Sequence, residues 1–330
     1  MLKLQTKGGF TCNVPETEEE DLTPKFSINK DDNALVDFYK KNGFVVIKKI
    51  FKEEDCKKLI NYWNKEVKSF NGKIYRREGA KLEKNIFNKN NWVMNSVLNI
   101  QSLNPKQFPL LRNGFTKYIV SNQNLANLIS KLIQDKPMIV QSMYFEGNSV
   151  THEHQDSYYL DDQSIGSMVA CWIALENIKA DSGRFFVCPK SHLYDYSAMT
   201  LENNIVENHN IYKRNISQII KEKKYEIIAP KLNVGDILLW NSLTIHGSLD
   251  SQNEVFSRSS ITFHAVRSKS KFLVMRSSLR SLEAETNLPF CLYRPKDQTK
   301  MISRIILNFE SKFPESFYKF KKFLIKRFVK

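Results

Sequence analysis

The stretch Thr151-His152-Glu153-His154-Gln155-Asp156-Ser157-Tyr158-Tyr159 brings imidazole and carboxylate side chains within five residues of one another. His154 and Asp156 are two positions apart, and at the end of a strand such a pair can turn onto one metal ion. A histidine from a distant segment then completes a 2-His-1-carboxylate face, which leaves the other coordination positions open. His246, in Leu243-Thr244-Ile245-His246-Gly247-Ser248, is the candidate for that third ligand.

An arginine that follows His246 is suited to binding a carboxylate. Gly235-Asp236 forms a turn, Ile237–Trp240 reads as a strand, His246 follows it, and Arg258 opens the next strand. A guanidinium binds a carboxylate through two parallel hydrogen bonds, which a lysine cannot do. The ordinary alternative for Arg258 is an ion pair at the surface.

Other histidines compete for roles at this site. His152 could face the same way as His154, but only His154 forms His-x-Asp, so His152 is expected at the rim or behind the ligands. His264 either lines the pocket or is a hydrogen-bonded core residue. His192 and His209 have no carboxylate at ligand spacing, which favours structural or surface roles for both.

Composition indicates a globular protein that works in a reducing compartment. The 330 residues are 42% apolar and 12% aromatic, without a run long enough for a membrane span. The amino terminus lacks the apolar stretch of a secretory signal. Five scattered cysteines without CxxC predict neither a zinc ribbon nor a disulfide framework. We expect a soluble, cytoplasmic protein.

Much of the positive charge is concentrated at the carboxyl end. Residues 295–330 contain ten Lys/Arg and three Asp/Glu, a net +7 out of +15 for the chain, which argues against a protein-wide nucleic-acid surface. This segment is predicted to be a basic amphipathic helix. It could lie on an anionic membrane, with peripheral association, or bind a partner. Alternatively it packs on its own domain with a solvated lysine face. Its apolar residues are Ile302, Ile305, Ile306, Phe309, Phe313, Phe317, Phe320, Phe323, Leu324 and Phe328.

Helical periodicity precedes strand periodicity along the chain, which predicts an α+β fold. We expect a double-stranded β-helix (a jelly-roll, cupin-like core) backed by amino-terminal helices. Residues 1–30 read as a flexible extension, 31–294 as the core domain and 295–330 as the helical tail. Residues 70–112 and 197–224 read as irregular segments that wall a substrate, with Tyr158 or Tyr159. The predicted strands are Met138–Glu146, Ser167–Leu175, Arg184–Cys188, Tyr225–Ala229, Asp236–Trp240 and Ser259–Val266.

The motifs, in their order and spacing over residues 31–267, resemble the phytanoyl-CoA dioxygenase family of Fe(II)- and 2-oxoglutarate-dependent oxygenases. Two turns depart from the family pattern, at Ser182-Gly183 and at Pro189-Lys190. The matching segments are Asn42-Gly43-Phe44-Val45-Val46-Ile47, His154-Gln155-Asp156-Ser157-Tyr158-Tyr159, Cys171-Trp172-Ile173-Ala174-Leu175-Glu176-Asn177, Ser182-Gly183-Arg184-Phe185-Phe186-Val187-Cys188-Pro189-Lys190-Ser191-His192, Gly235-Asp236, Ile245-His246-Gly247-Ser248 and Ser257-Arg258.

The resemblance implies His154, Asp156 and His246 as iron ligands and Arg258 as the residue that holds the far carboxylate of 2-oxoglutarate. It also implies co-substrate contacts from four further residues: Ser248, Trp172, Gln141 and Met143. The implied cofactors are Fe(II), 2-oxoglutarate and O2, with ascorbate as an optional stimulant. The implied reaction hydroxylates an unactivated C–H bond of a small-molecule, lipid or sugar-type substrate, with succinate and CO2 as products. In the family, a carboxylate at position 156 goes with hydroxylation, since halogenating members leave that ligand site free.

Two other functions remain open from the sequence. One is a non-catalytic jelly-roll protein whose metal site is structural or degenerate. The other is an adaptor that docks on a membrane or nucleic acid through residues 295–330. The excess positive charge favours an anionic substrate but names none, and the sequence predicts no oligomeric state.

Overall fold

The protein is organised around a ten-stranded sheet, in a computed structural model that describes residues 1–28, 32–147, 150–194 and 205–328. The helices are α1 (Asp32–Asn42), α2 (Glu53–Trp63), α3 (Pro109–Phe115), α4 (Gln123–Ile133), α5 (Ile205–Lys223), α6 (Met301–Lys312) and α7 (Pro314–Phe328). The strands are β1 (Leu2–Gln5), β2 (Thr11–Val14), β3 (Lys25–Phe26), β4 (Phe44–Ile47), β5 (Ile74–Arg76), β6 (Lys81–Glu83), β7 (Val97–Leu98), β8 (Pro137–Phe145), β9 (Thr151–His154), β10 (Leu160–Asp162), β11 (Val169–Ala174), β12 (Phe185–Val187), β13 (Ile237–Asn241), β14 (His246–Ser248), β15 (Ser260–Arg267), β16 (Phe272–Val274), β17 (Ser278–Arg280) and β18 (Cys291–Leu292).

Two sheets enclose the interior in which the site lies. The main sheet has the order β3-β4-β13-β11-β15-β8-β7-β5-β6, with β18 beside β8, and a smaller sheet has the order β12-β14-β9. Phe185 and Val187 of the smaller sheet pack with Trp172 and Leu238 of the main sheet. Side chains that point between the sheets therefore converge on one space. The remaining strands form the β1-β2 hairpin and the β10-β16-β17 sheet.

Strand alternation decides which residues reach that space. On β11, Cys171 and Ile173 join the helix-facing core, whereas Ala170 and Trp172 face the smaller sheet. Successive side chains of a strand point to opposite faces, so this split follows from the backbone alone. On β15 the same alternation sends Phe263 to the helices, and it sends Thr262 and His264 into the interior.

The helices cover the outer face of the main sheet. The sequence analysis predicts amino-terminal helices behind the core, and α1, α2 and α4 are such helices. Trp63 of α2 stacks on Tyr144 of β8 with ring centroids 4.0 Å apart. Leu111 and Ile129, from α3 and α4, belong to the same fully buried core. This layer fixes the main sheet from behind and leaves its inner face for the site.

The amino-terminal segment departs from the predicted flexible extension. Over residues 1–28 it forms the β1-β2 hairpin and β3, with Cys12 and Val14 buried. The Thr6 hydroxyl and the Gly8 amide both donate to the Glu153 carboxylate. The prediction failed because a short alternating strand among polar residues gives little periodic signal.

Three further segments differ from the sequence predictions. Residues 70–112, expected to be irregular, contribute β5, β6 and β7 to the main sheet as well as α3. Within 197–224, residues 205–223 form α5, while 197–204 lie outside the described part. The predicted strand Tyr225–Ala229 is reduced to one bridge, between Ile228 and Val187.

The chain ends in two helices, α6 and α7, which are joined at Phe313. Leu307 belongs to a buried cluster that includes Met143 and Phe145 of β8. Across the described part of the chain, every helix is too short or too polar to cross a bilayer.

A glycine holds the turn that leads into β13. Gly235 has φ +84°, and a Cβ at this position would collide with the carbonyl oxygen of Phe51. The Gly235 carbonyl in turn accepts from the Ile50 and Phe51 amides at 2.9 and 3.1 Å. Close backbone approach and a left-handed conformation together require glycine here.

We predict that Gly235→Ala destabilises the fold more than Gly9→Ala. Gly9 has the same φ of +84°, but no atom lies within 4 Å of an added Cβ, so it serves as the matched control. Both variants should lose about 1 kcal/mol for the left-handed backbone, and Gly235→Ala about 1–3 kcal/mol more for the clash. Chemical denaturation measures both values. Equal losses would show that the approach to Phe51 is unimportant.

Candidate active site

His154, Asp156 and His246 form a buried cluster whose ligand atoms all lie within 4.8 Å of one another. His154 ends β9 and His246 begins β14, and the two residues are direct partners in the ladder. Asp156 follows in a one-turn helix, Asp156–Tyr158. Its Oδ1 lies 3.8 Å from Nε2 of His154 and 3.5 Å from Nε2 of His246. The predicted metal-binding residues are therefore brought together.

The two histidines present the correct nitrogen to a metal. Nδ1 of His154 lies 2.8 Å from the His152 carbonyl, and Nδ1 of His246 lies 2.9 Å from the Thr244 carbonyl. A carbonyl only accepts hydrogen bonds, so each Nδ1 carries the proton and each Nε2 keeps a lone pair. Burial and the neighbouring His246 lower the pKa of His154 to about 3, against the opposing effect of Asp156. At neutral pH the His154 ring is uncharged and able to bind a cation.

Trp240 and His264 hold the Asp156 carboxylate by its second oxygen. The Trp240 indole N–H donates to Oδ2 at 2.8 Å, and Nε2 of His264 lies 3.2 Å from the same atom. Burial alone would raise the pKa of Asp156, but His246 and His264 keep it well below its usual value. The carboxylate therefore stays ionised, and its Oδ1 faces the two histidines. Neighbouring groups of this kind orient a ligand and tune its affinity for metal.

Arg258 is a buried cation, so the surface ion pair considered from the sequence is wrong. It is 3% exposed, its Nη1 donates to the Gly183 carbonyl at 2.7 Å, and its Nε has no partner within the described chain. No carboxylate of the described residues lies within ion-pair distance of its guanidinium. Burial, then the charge of Arg77, lowers its pKa to about 9, which leaves it charged at neutral pH.

A cavity of about 650 Å³ contains the cluster. This volume accommodates a small organic molecule beside a metal ion. All the residues that the sequence predicted for the site line it: His154, Asp156, His246, Arg258, Ser248, Trp172, Gln141 and Met143.

Several lining residues were not predicted from the sequence. Arg77 follows β5 and donates from Nη1 to the Thr151 hydroxyl at 3.3 Å, and its guanidinium lies 6.0 Å from the Phe145 ring centroid. Lys213 of α5 and Lys7 of the amino-terminal hairpin also line the cavity. Arg77 was missed because residues 70–112 were read as irregular, although Ile74-Tyr75 beside it carries the apolar signal of a strand.

The remaining histidines divide between site and scaffold. His152 lies outside the metal cluster but lines the cavity, with Nδ1 2.6 Å from Glu153 Oε2. His192 lies 2.9 Å from the Lys40 carbonyl through Nε2, away from the cavity lining. His209 lines the cavity, with its ring 5.9 Å from that of Tyr159, so a purely surface role is wrong for it. The predicted wall residue Tyr159 lines the cavity as well.

A comparison with protein-family models matches residues 39–260 to the phytanoyl-CoA dioxygenase (PhyH) family, two thirds of the chain. The chain belongs to this family. Phytanoyl-CoA dioxygenase domain-containing protein 1 of Danio rerio is 27% identical over 193 residues, which are 53% of this chain and 59% of that protein. The peroxisomal phytanoyl-CoA dioxygenase of Bos taurus is 24% identical over 281 residues, 79% of this chain and 77% of that protein.

Solved structures share the fold of this family member at low sequence identity. The epimerase SnoN in complex with Fe3+, alpha ketoglutarate and nogalamycin RO has a TM-score of 0.53 at 14% identity, over 81% of this chain and 96% of SnoN. EctD from S. alaskensis with 2-oxoglutarate and 5-hydroxyectoine has a TM-score of 0.50 at 14% identity, over 79% and 88%. The fold is therefore the double-stranded β-helix of iron- and 2-oxoglutarate-dependent oxygenases, as the sequence predicted for the core.

We predict that Trp240→Phe weakens metal binding. The variant keeps an aromatic ring but removes the N–H that fixes Asp156 Oδ2. The affinity for Fe(II), or for Mn(II) as its substitute, should fall about 10–100-fold in calorimetric titration. Trp63→Phe is the control, because it removes a buried indole N–H on the helix side of the main sheet that has no partner in the described chain. Equal affinities in both variants would contradict the role assigned to Trp240.

Proposed function

We propose that this protein is an Fe(II)- and 2-oxoglutarate-dependent dioxygenase that hydroxylates an unactivated C–H bond of a small molecule. The observation that carries the proposal is the cluster of His154, Asp156 and His246, with both Nε2 atoms and one carboxylate oxygen turned toward one point. Membership of an oxygenase family supports it.

The donor set fits ferrous iron. Two neutral imidazoles and one carboxylate on one face suit a borderline divalent ion and leave open positions for other ligands. Bound there with 2-oxoglutarate and O2, the iron would supply the oxidising power, with succinate and CO2 as products. The chain's own part is to hold the ligands, orient the co-substrate and keep water away from the reacting atoms.

Arg258 is the proposed anchor of the 2-oxoglutarate carboxylate that lies away from the metal. Its guanidinium lies in the same cavity as the cluster and has hydrogen-bond capacity left over after its contact with Gly183. Because it is buried and charged, a carboxylate that pairs with it relieves the cost of desolvation. Ser248, Trp172, Gln141 and Met143 are the proposed neighbours of the co-substrate.

Hydroxylation is favoured over halogenation by the intact carboxylate ligand. Asp156 occupies the position that halogenating members of the family leave free. The fold alone leaves the reaction open, since SnoN is an epimerase and EctD was solved with 5-hydroxyectoine. Asp156 therefore supports hydroxylation over halogenation, and the succinate assay with identified products would distinguish it from epimerisation.

The proposed substrate carries a negative charge. Arg77 has no carboxylate within ion-pair distance in the described chain, and Lys213 lines the same cavity. Of the three acidic lining residues, Asp156 and Glu153 are already engaged, by Trp240 and by Thr6 and Gly8, and Glu78 lies beside Arg77 in the chain without an ion pair to it in the described residues. An anionic group of the substrate would complete the hydrogen bonds of the Arg77 guanidinium.

We predict that His154→Ala abolishes the reaction. Losing one of three ligands should lower succinate formation from 2-oxoglutarate by at least about a hundredfold, in protein supplied with iron, ascorbate and O2. His192→Ala should keep the wild-type rate, because His192 lies outside the cavity. Wild type and His154→Ala at the same rate would overturn the proposed function.

We predict that Arg77→Gln and Arg258→Gln separate the two anionic ligands. Candidate substrates would be tested in pairs that differ only in a carboxylate or a carboxamide. Arg77→Gln should reduce the preference for the carboxylate about tenfold, since a charged hydrogen bond is lost. Arg258→Gln should instead weaken 2-oxoglutarate binding to the Mn(II) protein. Weaker 2-oxoglutarate binding in Arg77→Gln would show that Arg77 serves the co-substrate.

A further inference from the structure

The outward side of α6 and α7 is apolar, whereas a polar residue is buried against the domain. Ile302 is 73% exposed and Phe309 50%, whereas Glu310 is 1% exposed. A surface helix of a globular protein normally has the opposite arrangement. We call the exposed apolar residues the outer apolar face: Met301, Ile302, Ile305, Ile306, Phe309, Phe313, Phe320 and Phe323.

The inner contacts fix the helices in this orientation. The Glu310 carboxylate lies 3.2 Å from Lys296 Nζ and accepts from the Tyr318 hydroxyl at 2.6 Å. Leu307, one turn before, packs in a cluster with Met143 and Phe145. Rolling α6 to bury its apolar side would expose Leu307 and break the ion pair of Glu310. The contacts on the inner side of α6 therefore keep the outer apolar face exposed.

Positive charge surrounds this face. Of the acidic residues in 295–330, all within the described part, Asp297 lies 3.5 Å from Arg112 and Glu310 is buried, which leaves Glu315 exposed. Several basic side chains in the two helices or at the start of α6 are exposed: Lys300, Arg304, Lys312, Lys319 and Lys322.

We propose that the outer apolar face docks on a membrane whose surface carries anionic lipids. A contiguous apolar patch of this kind marks an interaction site. Basic residues beside exposed Phe and Ile match the interface of an anionic bilayer, where the apolar groups enter the acyl boundary and the lysines meet the headgroups. Docking of a second copy of the chain would bring two positively charged faces together, and these would repel each other. Aromatic contacts of Phe309 with Phe313 and Phe317, at 5.3 and 6.4 Å, carry the face across the break between α6 and α7.

Docking of this face brings the catalytic domain to the bilayer in a fixed pose. The platform on which α6 rests includes Met143 and Phe145, and both also line the cavity. The cavity wall and the membrane-facing helix are therefore two sides of one packed layer. This inference is independent of the proposed reaction, because vesicle binding needs neither iron nor 2-oxoglutarate.

Vesicle flotation of the 330-residue protein tests the proposal. The probes are vesicles of phosphatidylcholine alone and of phosphatidylcholine mixed with phosphatidylserine. The wild type should bind the mixed vesicles at least about tenfold more tightly, and the double variant Ile302→Ser/Phe309→Ser should lose this binding. The variant Lys312→Glu/Lys319→Glu should lose the preference for phosphatidylserine. Ile165→Ser is the matched control, since Ile165 is 50% exposed outside these helices.

The outcomes separate the candidates for the partner. Wild type that ignores phosphatidylserine vesicles, or an Ile302→Ser/Phe309→Ser variant that binds them as the wild type does, overturns the proposal. Self-association in sedimentation velocity that only this double variant abolishes, without vesicle binding, assigns the face to a second copy instead. Thermal unfolding checks that each variant is folded, and exposed side chains were chosen so that folding is preserved.

Discussion

The site depends on a single buried carboxylate whose two oxygens have different partners. Asp156 Oδ2 is held by the Trp240 indole and by His264, and Oδ1 is left for the space between His154 and His246. Burying a charge costs several kcal/mol unless donors or a counter-ion offset it. The Trp240 N–H and the nearby His264 ring meet part of this cost, and a bound cation would meet the rest. Trp240 and His264 of the main sheet therefore place polar groups next to Asp156 in an interior that is otherwise largely apolar.

The positions of the residues around Asp156 depend on the register of strands from both sheets. The partnership of His154 and His246 comes from the β9-β14 ladder, whereas Trp240 and His264 come from β13 and β15 of the main sheet. A slip of one residue in any of these strands would turn its side chain away from the site. The Gly235 turn before β13 and the helices behind the sheet therefore help to position the site residues, although they lie outside the cavity. The same hydrogen-bond ladders that hold the sheets together also set the positions of the site residues.

The sequence was most informative where function requires fixed spacing. His154-x-Asp156, His246 and Arg258 could be found because the ligands proposed for one ion and the anchor proposed for its co-substrate follow a fixed order along the chain. Trp240 and Arg77 could not, since a strand-end tryptophan or a loop arginine has many possible partners and only the folded sheets select one. α5 was missed although Tyr212, Ile216, Ile219 and Ile220 recur at helical spacing. The polar residues between them made the segment resemble a loop.

One contact of α5 links the wall of the cavity to the ligand turn. Tyr212 stacks on Tyr158 with ring centroids 3.6 Å apart, and its hydroxyl accepts from the Gln155 amide at 2.8 Å. Both of those residues lie within two positions of Asp156. A shift of α5 would therefore also disturb the turn that carries the carboxylate. The position of α5 and the geometry of this turn are therefore coupled through one tyrosine side chain.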